Sequence, residues 1–67
     1  MKKIIVNAVY KHYKGNVYKV IALGKHSETC ENMVIYQSIE HGDVWCRPEN
    51  MWFDKIDETT TRFTLLD

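Results

Sequence analysis

The sequence predicts a mainly β fold: a small, antiparallel, partly open β-barrel with one short helical turn. Short runs rich in aromatic and β-branched residues alternate with turn residues along most of the chain. With 67 residues there is room for a single domain, whose core we place at about 8–57, with 58–67 as a tail or a last strand. Curling such a sheet towards closure removes the exposed edges that would otherwise pair with other chains.

The aromatic and β-branched runs predict four strands, near 8–13, 17–26, 32–38 and 44–47. Gly15 and Asn16 separate the first two strands, and both residue types can adopt the positive φ of a tight hairpin turn. Pro48 ends the fourth strand because it cannot donate to a β ladder. The same proline begins a predicted helical turn over 48–52, where its missing N–H costs nothing.

Strict alternation of side chains along a strand predicts how two groups of residues are oriented. In the second strand, Val20 and Ala22 are expected on the same face. In the fourth, Cys46 lies between Trp45 and Arg47, and we expect its thiol to pack inward as a small hydrophobe. Trp45 and Arg47 then face outward together, which indicates recognition of a planar or anionic group. An intramolecular stack of Arg47 on Trp45 explains the same pair equally well.

The polar segment after the second strand contains the residue types of a hydrolase triad but not its geometry. Ser27 lies between His26 and Glu28, so on an extended chain its hydroxyl points away from both. We expect Ser27 and Thr29 to bond to the backbone of a turn. His26 and Glu28 share a face two residues apart, as either a structural polar pair or part of a site.

No metal, cofactor or catalytic nucleophile is predicted. The two cysteines and three histidines lack the C-x-x-C or H-x-x-x-H spacings typical of structural zinc. We expect Cys30 and Cys46 to be free thiols of a cytoplasmic protein, since a disulfide would require an oxidising compartment. The apolar run near the N-terminus stops at Asn7, too early for a secretion signal.

Charge is divided unevenly along a chain whose formal net charge is zero. Residues 1–26 carry six lysines and no acid, whereas 27–67 carry three basic and all nine acidic residues, a balance of minus six. A lysine-rich first hairpin beside His12 and Tyr13 is one candidate surface for weak RNA or nucleotide binding. Most nucleic-acid binders use long-range attraction that a neutral chain lacks, so we prefer a protein or peptide partner.

Four segments of the chain carry a family resemblance, in the same order and with compatible spacing over roughly Val9 to Ile56. They are Tyr10-Lys-His12-Tyr13-Lys-Gly15-Asn16-x-Tyr18-x-Val20, His26-Ser27-Glu28-Thr29, Val34-x-Tyr36 and Trp45-x-Arg47-Pro48-x-x-Met51. Together they resemble the bacterial family catalogued as Domain of Unknown Function 1653. The resemblance implies a Src-homology-3-like barrel and a bacterial or phage origin, but no established activity. This chain has Cys30 where that family often has glycine, and Trp52 where phenylalanine is usual.

These observations predict a non-catalytic binding or adaptor module rather than an enzyme. The expected partner is a protein or peptide, recognised through an aromatic and arginine surface. The residues that we expect to bind it are His12, His26, Glu28, Trp45 and Arg47. The alternative is weak RNA or nucleotide binding through the lysine-rich N-terminal hairpin.

Overall fold

The computed structural model describes residues 3–66, which form one antiparallel sheet of five strands and a short 3-10 turn. The strands are β1 (Val9–His12), β2 (Val17–Lys25), β3 (Asn32–Ser38), β4 (Val44–Pro48) and β5 (Phe63–Leu65), and the 3-10 turn is Glu49–Met51. Their order in the sheet is β4-β3-β2-β1-β5. The mainly β class, the four predicted strands and the helical turn after Pro48 are confirmed. Of the two alternatives for the C-terminal segment, the structure contains a strand, which pairs with β1.

The turns form where the chain supplies residues that can adopt positive φ. Gly15 (φ 109°) lies in the β1–β2 turn and Gly42 (φ 81°) in the β3–β4 turn. In the β2–β3 turn the left-handed position is held by Cys30, with φ 62°. A side chain in this region is strained relative to glycine, because its Cβ crowds the following carbonyl oxygen.

The core lies on one face of the sheet around Trp52, the largest fully buried side chain in residues 3–66. Trp52 follows the 3-10 turn, and its indole stacks on the ring of Phe63, with centroids 3.8 Å apart and planes at 2°. Tyr10 and Tyr36 contact the indole edge-to-face at 5.4 and 5.0 Å. The other members of the buried cluster are Val20 and Val34. Five of its six side chains therefore come from strands, and the sixth covers them.

A β-bulge interrupts the alternation in β2. The register shifts between Val20 and Ala22, so Ala22 pairs with Ile35 and Leu23 with the buried Val34. Directly paired residues share a face, which assigns Leu23 to the core side and Ala22 to the opposite side. The prediction that Val20 and Ala22 share a face is therefore wrong, because the extra residue exchanges the two faces beyond it.

The sheet is not closed into a barrel by hydrogen bonds. Among residues 3–66, β4 pairs with β3 alone and β5 with β1 alone. The two edge strands approach through side chains instead, since the guanidinium carbon of Arg47 on β4 lies 5.9 Å from the ring centre of Phe63 on β5. We call the opening between β4 and β5 the seam.

Candidate functional site

The pairing of β4 with β3 determines which way the β4 side chains point. Trp45 pairs with Tyr36 and Arg47 with Val34, and both partners on β3 are buried. Trp45 and Arg47 therefore lie on the core side of the sheet. Cys46 lies on the opposite side and is exposed. The prediction that Cys46 packs inward is wrong, because the pairing with β3 turns Trp45 and Arg47, and not Cys46, towards the core side of the sheet.

The prediction that Trp45 and Arg47 face outward together is therefore wrong as well, although Trp45 is 52% exposed on the core side. It lies on the core side of an edge strand, where no further strand in the described chain extends past it. No other ring or cation of residues 3–66 stacks on its indole. Arg47 is half-buried and lies over Phe63, so the alternative in which Arg47 stacks on Trp45 is not the arrangement in this structure.

His12 ends β1 and contributes a third side chain to this end of the molecule. Its ring lies 5.0 Å from that of Phe63. The backbone N–H of Lys14 donates to His12 Nδ1 at 3.2 Å, so the neutral ring carries its proton on Nε2. Burial lowers the pKa of His12 below its ordinary value, and the positive charges of Arg62, Arg47 and Lys14 lower it further. His12 is therefore a hydrogen-bond donor at neutral pH.

Arg62, which the sequence reasoning did not single out, also belongs to this site. It immediately precedes β5, where its backbone accepts a bond from Tyr13 N at 2.8 Å and donates one to the Asp54 carbonyl at 2.6 Å. Its guanidinium carbon lies 6.0 Å from the centre of the Tyr13 ring. Pairing of the segment around Phe63 with β1 would have brought Arg62 to His12, but the sequence left open whether a strand forms there.

The guanidinium groups of Arg47 and Arg62 have no hydrogen-bond or ion-pair partner within residues 3–66. The Nε atom of each is buried and unpaired. The ion pair found in that part of the chain joins His41 and Glu40, both exposed, at 4.0 Å. We call His12, Arg47 and Arg62 the basic cluster. It presents N–H donors in an aromatic setting with no carboxylate bound to them.

His26 and Glu28 lie far from His12. They follow β2, whereas His12 is next to its beginning, and a strand of nine residues spans about 30 Å. His26 Nδ1 accepts bonds from the backbone N–H groups of Glu28 (3.1 Å) and Thr29 (3.3 Å). Thr29 Oγ1 accepts one from Glu31 N at 3.2 Å. His26 thus stabilises the turn, and the side-chain pair considered for His26 and Glu28 does not form.

The lysines of the N-terminal half do not form one stripe. Lys11 and Lys19 lie on the outer side of the sheet, because they pair with Val17 and Val9 there. Lys14 lies in the β1–β2 turn, with Nζ 5.9 Å from the Tyr13 ring centre. Lys25, at the far end of β2, bonds to Asn32 at 3.0 Å. Lys3 is exposed near the N-terminus, and Lys2 lies outside the described residues.

Two open cavities also occur. The larger, about 570 Å³, is lined by residues that include Leu23, Asn32, Glu49 and Asn50, none of which belongs to the basic cluster. The smaller, about 310 Å³, shares Phe63 with the seam. Within residues 3–66, no three His, Cys, Asp or Glu side chains are grouped closely enough to hold a metal ion. The same residues contain no helix long and apolar enough to span a membrane.

Fold and site together define a class: a small, mainly β protein that presents unpaired basic groups beside exposed aromatic surface. Residues 8–65 match the model of the family described as "Protein of unknown function (DUF1653)", and the chain belongs to this family. No curated protein and no solved structure matches the chain.

Proposed function

We propose that this protein is a non-catalytic binding module that recognises a protein or peptide partner at the seam. The observation that carries the proposal is the exposure of Trp45. This side chain is 52% exposed, lies on the same face of β4 as Arg47, and has no ring or cation of the described chain stacked on it. A small domain gains stability by burying tryptophan, so a ring left in water on the core side of a sheet marks an interaction surface. Tryptophan and arginine are the residue types that most often dominate the energy of protein interfaces.

The finer architecture belongs to the same proposal: a partly open barrel of the Src-homology-3-like type. The order β4-β3-β2-β1-β5 supports it, because curling such a sheet brings β4 towards β5. The bulge after Val20 bends β2, and Arg47 reaches Phe63 across the seam. In such a barrel the partner would enter where backbone closure is missing.

Weak RNA or nucleotide binding through the lysine-rich hairpin remains the alternative function. The distribution of Lys11, Lys14, Lys19 and Lys25 over both faces and both ends of the sheet favours the peptide proposal instead. The zero net charge favours it as well. We also propose a cytoplasmic location, which the two free thiols support.

Selection of peptides from a displayed library on the immobilised protein tests the proposal. Retained peptides should lose most of their affinity for Trp45→Ala. They should bind Val44→Ala normally, a matched control whose side chain is also exposed on β4 but on the outer face. Both variants should melt within a few degrees of the wild type, since neither residue belongs to the core. Equal binding to Trp45→Ala and the wild type would contradict the proposal.

A further inference from the structure

The basic cluster is complementary to one kind of ligand group. His12 Nδ1 already accepts a bond from the backbone of Lys14, so the polar groups of the cluster that have no partner are the Nε2–H of neutral His12 and the guanidinium N–H groups of Arg47 and Arg62, all donors. The ammonium of Lys14, two residues after His12 in the β1–β2 turn, adds a further donor and a further positive charge that acts on His12. A group that satisfies these donors must offer acceptor atoms, and an anion does so most strongly.

The chain's own carboxylates do not fill this position in the described residues. Asp54 contacts Arg62 through its backbone carbonyl, and no carboxylate lies within 4.0 Å of either guanidinium. Asp57, in the loop before β5, is occupied locally, because its carboxylate accepts bonds from the N–H groups of Thr59 and Thr60, both at 2.9 Å. The positive charge beside Phe63 is thus left for a group from outside residues 3–66.

The free edge of β4 indicates what kind of molecule supplies the anion. β4 pairs with β3 on one side, and on its other side no strand of the described chain is bonded to it. An extended peptide can add to such an edge through its own backbone N–H and C=O groups, whereas a nucleic acid cannot. Trp45 and Arg47 are two residues apart on one face, so alternate side chains of an added strand would lie beside them.

We propose that the basic cluster binds the carboxylate of an acidic, extended peptide segment that adds to the edge of β4. The segment carries an apolar side chain opposite Trp45 and an aspartate or glutamate two residues away, beside Arg47. This inference rests on the proposed function and specifies its ligand: the planar guanidinium of Arg47 accepts a carboxylate in a forked arrangement that a lysine cannot reproduce.

Synthetic ten-residue peptides provide the test. One has an alternating threonine and serine background with a leucine and, two residues along, a glutamate; its partner is identical but has glutamine for glutamate. Isothermal titration at moderate salt should give at least tenfold tighter binding of the glutamate peptide. That preference should disappear in Arg47→Gln and shrink in Arg47→Lys. It should persist in Lys11→Gln, a control on the outer face.

His12 supplies a second readout in the folded wild-type protein. The charged and titratable groups that face its ring are Lys14 from the β1–β2 turn, Arg47 from β4, Arg62 before β5, and the phenols of Tyr13 and Tyr18. A carboxylate bound among these cations favours the protonated imidazole. NMR titration of the ring protons should therefore show the His12 pKa rising when the glutamate peptide is bound, and not with the glutamine peptide.

The outcomes separate this inference from the proposal on which it rests. Equal affinities of the two peptides, with binding still lost in Trp45→Ala, would overturn the carboxylate inference and leave a peptide-binding module. Absence of any peptide that depends on Trp45 would overturn both. Displacement of the glutamate peptide by a single-stranded RNA decamer at physiological salt, dependent on Arg47, would replace the carboxylate by a phosphate and favour the nucleic-acid alternative.

Discussion

Replacement of Trp52 measures how the core holds so small a protein together. Trp52 is fully buried, stacks on Phe63 and meets two tyrosine rings edge-on. Truncating a buried tryptophan to alanine costs about 3–5 kcal/mol. A chain of 67 residues holds about 3–5 kcal/mol of net stability in total. Trp52→Ala is therefore expected to be largely unfolded at 25 °C.

Trp52→Phe sets two terms of opposite sign against each other. Phenylalanine is smaller by about 40 Å³, so at about 24 cal/mol per Å³ the cavity costs about 1 kcal/mol, and the lost transfer free energy of the removed atoms adds to this cost. The indole N–H of Trp52 is buried without a hydrogen-bond partner. Removing such a donor recovers about 1–3 kcal/mol of desolvation cost. The two terms nearly cancel, so the free energy of unfolding should stay within about 1 kcal/mol of wild type or rise slightly above it.

Thermal and urea unfolding followed by far-UV circular dichroism measures both variants without relying on tryptophan fluorescence. A change of 1 kcal/mol corresponds to about 4–8 °C in Tm for a domain of this size. Trp52→Phe should therefore melt within about 8 °C of wild type, while Trp52→Ala shows no cooperative transition. If phenylalanine were as damaging as alanine, the unpaired N–H would not carry the cost assigned to it. A stably folded Trp52→Ala would refute the central role of this side chain.

Three further outcomes are expected. Cys30→Gly should raise the free energy of unfolding by about 0.5–1 kcal/mol, because relief of about 1–2 kcal/mol of left-handed backbone strain exceeds the entropic cost of glycine. Urea unfolding measures this change, and a urea midpoint below that of the wild type would contradict the prediction. The pKa of His12 is lower in the folded protein than in the unfolded chain, so the unfolded chain takes up its proton first as the pH falls through 6.5. The free energy of unfolding of the wild type should therefore decline in this range and become constant below the folded pKa. His12→Asn should lack this pH-dependent decline. Arg47→Lys should leave the Tm nearly unchanged while weakening selected peptides, and unchanged affinity would argue for charge alone at this position.

The strands that carry local signals were predictable, and the contacts between distant strands were not. The β1–β2 hairpin follows from Gly15 beside aromatic and β-branched runs, and the 3-10 turn follows from Pro48. The last strand is only three residues long, Phe63–Leu65, and it forms by pairing with β1, so its local sequence left strand and tail equally open. The bulge in β2 carries no local signal, because Ile21 is as good a strand residue as its neighbours.

The candidate site was predicted in part, for reasons that its residues make explicit. The exposure of Trp45 was expected, but for the wrong reason, because the sequence placed it on the outer face of β4. Alternation along a strand says which side chains share a face but not which face is buried, and here the pairing with Tyr36 and Val34 decides that. Arg62 was missed because it reaches His12 only through the pairing of β5. His26 was wrongly grouped with the site, because the sequence does not distinguish an imidazole that accepts backbone hydrogen bonds in a turn from one that binds a ligand.

The features that make the seam a binding surface also determine how a ligand must affect stability. Trp45 is half exposed, so its indole contributes only part of the hydrophobic free energy that full burial would give. The buried Nε atoms of Arg47 and Arg62 are unsatisfied donors, and each destabilises the folded state by about 1–3 kcal/mol. The cost of the two unsatisfied Nε donors is carried by the folded state alone, because the unfolded chain hydrates them, whereas the exposed part of the Trp45 indole is in water in both states. A ligand that covers the indole and accepts from the guanidinium groups therefore binds the folded form selectively. Such a ligand raises the free energy of unfolding by RT ln(1 + [L]/Kd), where [L] is the concentration of free ligand. Because the net stability of the domain is itself only about 3–5 kcal/mol, a modest affinity at this seam changes the folded population more than it would in a larger protein.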